Sequence, residues 1–197
     1  MRGVSVRRGR GGVSAAKGLL AGAVGGLAAS LVMNAFQEAW SRRTHGQSRS
    51  HGAQSLQTGE PRGGDAWPRG QAGEREAAES RDAAERVAAG AAAALAGREL
   101  TRGEQDAGGT LVHYLYGTAT GAAYGLAAEL APAAAAAYGL PFGAAVWIGA
   151  DELIVPALGL SKPAEDYPAS VHAYSFVSHL VYGLTTELVR GAARRMM

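Results

Sequence analysis

The sequence predicts an all-α protein, a multi-pass transmembrane bundle of four spans joined by glycine-rich i,i+4 packing faces. Three observations lead there. Charge is segregated: residues 38–106 hold 21 of the 36 Asp, Glu, Lys and Arg, and residues 107–186 hold six, of which only Lys162 is basic. An 80-residue stretch that poor in charge cannot keep every surface element solvated in water. Second, four windows of about 20 residues are apolar enough to cross a bilayer core of about 30 Å. Third, glycines recur at a spacing of four within those windows. The mean hydropathy of −0.04 and the net charge of +2 conceal all of this, because they average a charged segment with low-charge ones.

The first span is 18–37 (GLLAGAVGGLAASLVMNAFQ), free of charge between Lys17 and Glu38. Arg7 and Arg8 loosely resemble a twin-arginine signal. Gly9, Arg10 and Gly11 stand where that signal needs a hydrophobic pair, and the apolar run exceeds a signal's 7–15 residues, so the segment reads as a retained span.

The 38–106 loop divides in two. From 41 to 72 it has almost no aliphatics and is expected to be flexible. From 73 to 97 it is alanine-rich, with Arg75 and Glu79, Arg81 and Glu85, and Asp82 and Arg86 at i,i+4, which predicts a helix. Its apolar tail is too short to span and is read as lying on the bilayer or the bundle, or as a solvated spacer.

The second span is 107–128, ending at Glu129. The third is 140–160: Pro132 and the Gly139-Leu140-Pro141 break set its start near Pro141, where proline suits a first turn, and place Asp151 and Glu152 inside it or, in another register, at its outer edge. The fourth is 167–186 (YPASVHAYSFVSHLVYGLTT). Segment 1–17 carries Arg2, Arg7, Arg8, Arg10 and Lys17 without an acid, and 187–197 carries Arg190, Arg194 and Arg195, so both termini are expected in the cytoplasm. An even number of spans agrees with that.

Rows at spacing four run through three spans. The first holds Gly18, Gly22, Gly26, Ser30, Asn34 and Glu38; the second His113, Gly117, Gly121, Gly125 and Glu129; the fourth Ser175, His179, Gly183 and Glu187. Such rows suit close, GxxxG-type helix crossings in lipid, where small residues let backbones approach. Counting about 1.5 Å per residue through antiparallel spans puts Asn34, Glu38, His113, Asp151, Glu152 and His172 in the external half of the bilayer and His179 near its midplane.

Ionisable groups at membrane depth face a partner, a cavity or water. The seven residues are a candidate proton-responsive cluster, since histidine beside carboxylate changes charge on modest acidification. A path for an ion or small solute is a second reading, and interhelical hydrogen bonding aided by Tyr114, Tyr116, Tyr124, Tyr174 and Tyr182 is a third. A metal site of His113, His179 and Asp151 or Glu152 ranks below these. There is no cysteine, no histidine pair has i,i+4 spacing, and His172 and His179 are seven apart, so neither a metal nor a cofactor is expected. Nothing resembles a nucleophile with its base, so no enzyme is expected. The central segment, with ten basic and eleven acidic residues, offers nucleic acid no surface. The expected partners are the lipid bilayer and, for a pore, further copies of the chain in a homo-oligomer, because four glycine-lined helices leave little room for a private channel.

The segments KGLLAGAVGGLAASLVMNAFQ, HYLYGTATGAAYG, GADELIVPALGL and SHLVYGLTTELVR, in this order and spacing, resemble the YagU-like family of bacterial inner-membrane proteins, a domain of unknown function. The resemblance covers Lys17 to Arg190 and is thinnest over 41–72. It implies a multi-pass inner-membrane protein and supplies no catalytic residue to carry over. His113, Asp151, Glu152, Pro156, His179 and Gly183 stand within the matching segments.

Overall fold

A computed structural model describes residues 10–44, 71–161, 163, 167 and 169–197, with side chains described from Ala15 and Ala83 onward in the first two helices. Most of the described residues are helical, and none of them forms a strand. The basic 1–9 segment and most of the 41–72 segment lie outside them.

Helix α1 runs Arg10–Thr44 and is continuous through 38–44, where flexibility was expected from residue 41. Glu38 and Arg42 pair at i,i+4 there, on an exposed face, and carry the helix beyond its apolar run. Helix α2 runs Gln71–Ala96 and α3 Arg102–Leu130. The start of α3 is fixed by a capping box: Thr101 Oγ1 accepts from the Glu104 N–H at 3.4 Å, and Glu104 Oε2 accepts from the Thr101 N–H at 2.9 Å. Arg98 grips the same carboxylate through both guanidinium nitrogens at 2.8 and 3.0 Å. That pairing holds the exposed Glu104 down to about pKa 2, the Thr101 hydrogen bonds adding to it.

After Leu130 the chain turns through a short 3-10 stretch, Pro132–Gly139, and reverses at three successive left-handed residues, Ala137 (φ 51°), Tyr138 (φ 55°) and Gly139 (φ 79°). Helix α4 (Leu140–Trp147) then starts with Pro141 in its first turn. It widens into a π-helical turn, Ile148–Ile154, and closes as α5, Val155–Ala157, before Gly159 (φ 67°) ends it. Proline explains the widening. Pro156 has no N–H to return to the carbonyl of residue 152, and Val155 donates five residues back to Ala150. Helix α6, Ala169–Met196, completes the chain.

Helices α1 and α3 cross antiparallel through their glycines. A Cβ placed on Gly22 would sit 2.8 Å from Gly125 Cα, one on Gly26 2.9 Å from Gly121 Cα, and one on Gly18 2.8 Å from Gly125 O. Helix α6 packs against α1, with Thr186 O 2.6 Å from where a Gly25 Cβ would lie. It also packs antiparallel to α4, where a Cβ on Gly183 would meet Gly143 Cα at 2.8 Å. Gly139 and Gly143, followed by Trp147 and Asp151, thus form a fourth row at spacing four, which the sequence reading did not single out. Little large apolar side chain is buried. Ala29, Met33 and Tyr182 form the core cluster, with Phe142 and Val146 packed on it, while Leu20, Val24, Leu31, Leu115, Leu153 and Leu188 are exposed.

Two helical segments are long and apolar enough to cross a membrane, Ala15–Trp40 and Pro132–Ala157. They correspond to the first and third expected spans. Helices α3 and α6 have sufficient length, but Thr, Tyr, His and Gly dilute their hydropathy.

Candidate functional site

The π turn and α6 together build the site. On a regular α-helix, consecutive residues diverge by about 100°, so Asp151 and Glu152 would present to different neighbours. The wider turn lets both reach α6. Glu152 Oε1 lies 2.7 Å from His172 Nδ1. Asp151 Oδ2 accepts from Ser175 Oγ at 2.6 Å and lies 3.6 Å from His179 Nδ1. His179 Nδ1 also lies 3.0 Å from the Ser175 carbonyl oxygen, one turn back. All four ionisable side chains are largely shielded, His179 most of all at 11% exposed. His172 is wedged edge-on between Trp147 and Tyr167. Trp147 Nε1 is buried there without a hydrogen-bond partner among the described residues.

The other members of the expected cluster are placed differently. His113 lies edge-on to Tyr114 and lines a cavity together with Asp151 and His179. Asn34 donates to Tyr114 Oη at 3.0 Å, linking α1 to α3 beside that cavity. Glu38 does not join the site. It pairs with Arg42 on the exposed side of α1, because one further step along the row has rotated it off the α3 face. Ser175, which orders Asp151, belonged to a packing row in the sequence and gave no sign of its carboxylate partner, since that contact depends on the π turn.

The cavity, about 320 Å³, is bounded by all five long elements: Ser30 and Met33 from α1, Ala83, Ala84 and Val87 from α2, His113, Tyr116 and Thr120 from α3, Ala150 and Asp151 from the π turn, and His179 and Tyr182 from α6. Helix α2 thus touches the bundle near its middle, through Ala83, Ala84 and Val87, while most of its 87–96 tail is exposed. It meets α3 where Gly108 and Gly109 leave room for Ala88 and Glu85. Tyr182 floors the cavity, donating to Gly117 O at 2.6 Å and lying 2.9 Å from Thr120 Oγ1.

A second ionic group closes the opposite end. Arg194 chelates Glu129, with Nη2 to Oε2 at 2.9 Å, and Arg190 chelates Glu187 at 2.7 Å through both Nε and Nη2. Tyr124 Oη donates to Glu187 at 2.8 Å, and the Arg190 guanidinium lies 6.0 Å from the Tyr124 ring centre. The Glu187 hydrogen bonds hold Arg190 above its usual pKa. The rows end on Glu129 and Glu187 in the sequence, and the i,i+3 spacing of Glu187 and Arg190 was legible. The Glu129–Arg194 partnership was not, because it joins α3 to α6.

A family model described as a protein of unknown function (DUF1440) matches residues 91–188. No curated protein sequence and no solved structure matches the chain. The matched stretch contains α3, the π turn and all but the C-terminal end of α6, hence both His–carboxylate pairs.

Proposed function

We propose that this member of the DUF1440 family, the family to which YagU-like proteins belong, is a four-span protein of the bacterial inner membrane with both termini in the cytoplasm, and that its His–carboxylate pairs respond to external acid. The glycine rows serve as packing faces of that bundle. Two apolar helices support the membrane reading, and the antiparallel order of α1, α3, α4 and α6 extends it to four spans.

The observation that carries the acid reading is the pairing of two histidines on α6 with two adjacent carboxylates, His172–Glu152 at 2.7 Å and His179–Asp151 at 3.6 Å. Imidazoles change charge between about pH 5 and 8, whereas carboxylates do so nearer pH 4. Histidine held against carboxylate is the side-chain pairing whose charge answers to modest acidification. His113 and Tyr116 from α3 line the same cavity as Asp151 and His179, and Arg86 from α2 lies 3.4 Å from the Gly159 and Leu160 carbonyl oxygens. Replacing His113, His179, Asp151 and Glu152 one at a time should alter survival of acid challenge at unchanged protein level. Wild-type survival in all four variants would refute the reading.

A small oligomeric transporter or channel for protons, ions or a small solute is the second reading, favoured by the cavity beside Asp151. It requires a flux into liposomes that Asp151→Asn abolishes.

A further inference from the structure

The cavity holds one formal negative charge and no Lys or Arg among its described lining residues. That charge is incompletely used. Ser175 and His179 both approach Oδ2 of Asp151, and Oδ1 has no hydrogen-bond partner among the described residues. The rest of the wall is mostly apolar, with Met33, Val87, Val146, Ile154 and Val155, and two phenol rings, Tyr116 and Tyr182, border the same space. Tyr116, Val87, Ile154 and Leu158 of this lining are themselves exposed.

We propose that this cavity binds a small organic cation with an apolar body, such as an aromatic ammonium compound, its charge against Asp151 and its ring among the tyrosines and aliphatics. Size, charge and wall chemistry each select this class. At about 320 Å³ the cavity lies at the small end of those that enclose organic ligands. An anion would be repelled. A neutral solute would desolvate the carboxylate without replacing its hydration, which is unfavourable. A bare metal cation needs several oxygen ligands where one carboxylate is present. An ammonium group places its charge against the Asp151 carboxylate, with the Tyr116 and Tyr182 rings bordering the same space. His179 and Ser175 then position the carboxylate from its other oxygen. The inference concerns binding, and it stands whether or not the cluster also responds to acid.

The test uses the purified full-length chain in detergent micelles and equilibrium dialysis with benzyltrimethylammonium at pH 8, where an ordinary imidazole is neutral. Benzenesulfonate supplies an aromatic probe of opposite charge. Saturable binding of the cation at one site per chain is expected, weakened at least tenfold by Asp151→Asn, largely kept by Asp151→Glu and absent for the sulfonate. Non-saturable uptake, equal binding of the two probes, or unchanged affinity in Asp151→Asn would overturn the proposal. Should Asp151→Asn fail to fold, Ala84→Trp obstructs the cavity from the α2 side without touching the carboxylate. Undiminished binding in that variant would overturn it as well. Acid survival plays no part in this assay, so the two readings fail separately.

Discussion

Gly121→Ala tests the helix crossing on which the whole bundle rests. The added Cβ would lie 2.6 Å from Gly26 Cα and 2.8 Å from Gly26 N, whereas ordinary contact begins near 3.4 Å. Both neighbouring atoms belong to the backbone of α1, so no side chain can rotate away, and the two helices must part by several tenths of an ångström. Gly22 and Gly117, one step to either side in the crossing, would lose their own contacts in turn. Overpacking of this kind costs about 1–3 kcal/mol. Alanine's better helix propensity offsets up to about 1 kcal/mol of it. Because both clashing atoms are backbone, the upper part of that cost applies, and a net loss of about 1–2 kcal/mol is expected. At roughly 3 °C per kcal/mol for a chain of this size, that lowers the midpoint of thermal unfolding, followed by circular dichroism in detergent, by about 3–6 °C. Gly90→Ala is the control. Gly90 is helical too, but a Cβ there meets nothing within 4 Å, so only the propensity gain applies and the midpoint should stay or rise. If Gly121→Ala proves as stable as Gly90→Ala, the close crossing of α1 and α3 is wrong.

Tyr182→Phe removes the hydroxyl that bonds Gly117 O and Thr120, and should cost about 1 kcal/mol in the same assay; no change would mean that these bonds do not form. Thr101→Ala strips the α3 capping box and should cost about 1 kcal/mol, with faster hydrogen exchange at the amides of residues 102–105 as its local sign. Because Glu104 is held at about pKa 2, below its unfolded value, its contribution is present above about pH 4.3 and fades as pH falls towards 2. Protection of those amides, relative to their intrinsic exchange rate at each pH, should therefore fall across that window in the wild type and lose that acid dependence in Glu104→Gln; a matching acid dependence in the variant would exclude the carboxylate as its source. Single cysteines introduced at Ser161 and Ala192 of this cysteine-free chain should react with a membrane-impermeant maleimide from opposite sides, and labelling from the same side would refute the four-span topology.

What the sequence disclosed, and what it withheld, follows from the range of each interaction. The rows at spacing four were readable because helical periodicity is local, and one feature that breaks the helix, the Gly139-Leu140-Pro141 turn, announced itself through its residue types. The first span's extension to Thr44 was missed because hydropathy ends at Gln37 whereas the hydrogen-bonded helix, supported by Glu38 and Arg42, does not. Partner choice was out of reach where it depends on a change of helical pitch. Asp151 and Glu152 were visible as two acids needing a reason, yet their assignment to His179 and His172 required Pro156 to widen the helix into a π turn. Pro156 was present in the sequence all along, but a proline inside an apolar run signals a kink without specifying whether it opens towards α3 or α6. Glu38 illustrates the opposite limit. Its position continues a perfect row, but a row at spacing four drifts about 40° per step on a helix of 3.6 residues per turn, and five steps from Gly18 carry it off the face it began on. Co-location by depth therefore selected six residues, with His179 added near the midplane. Angular position around the helix axis, which only packing supplies, reduces them to two facing pairs, with His113 beside the same cavity and Asn34 bonded to the neighbouring Tyr114.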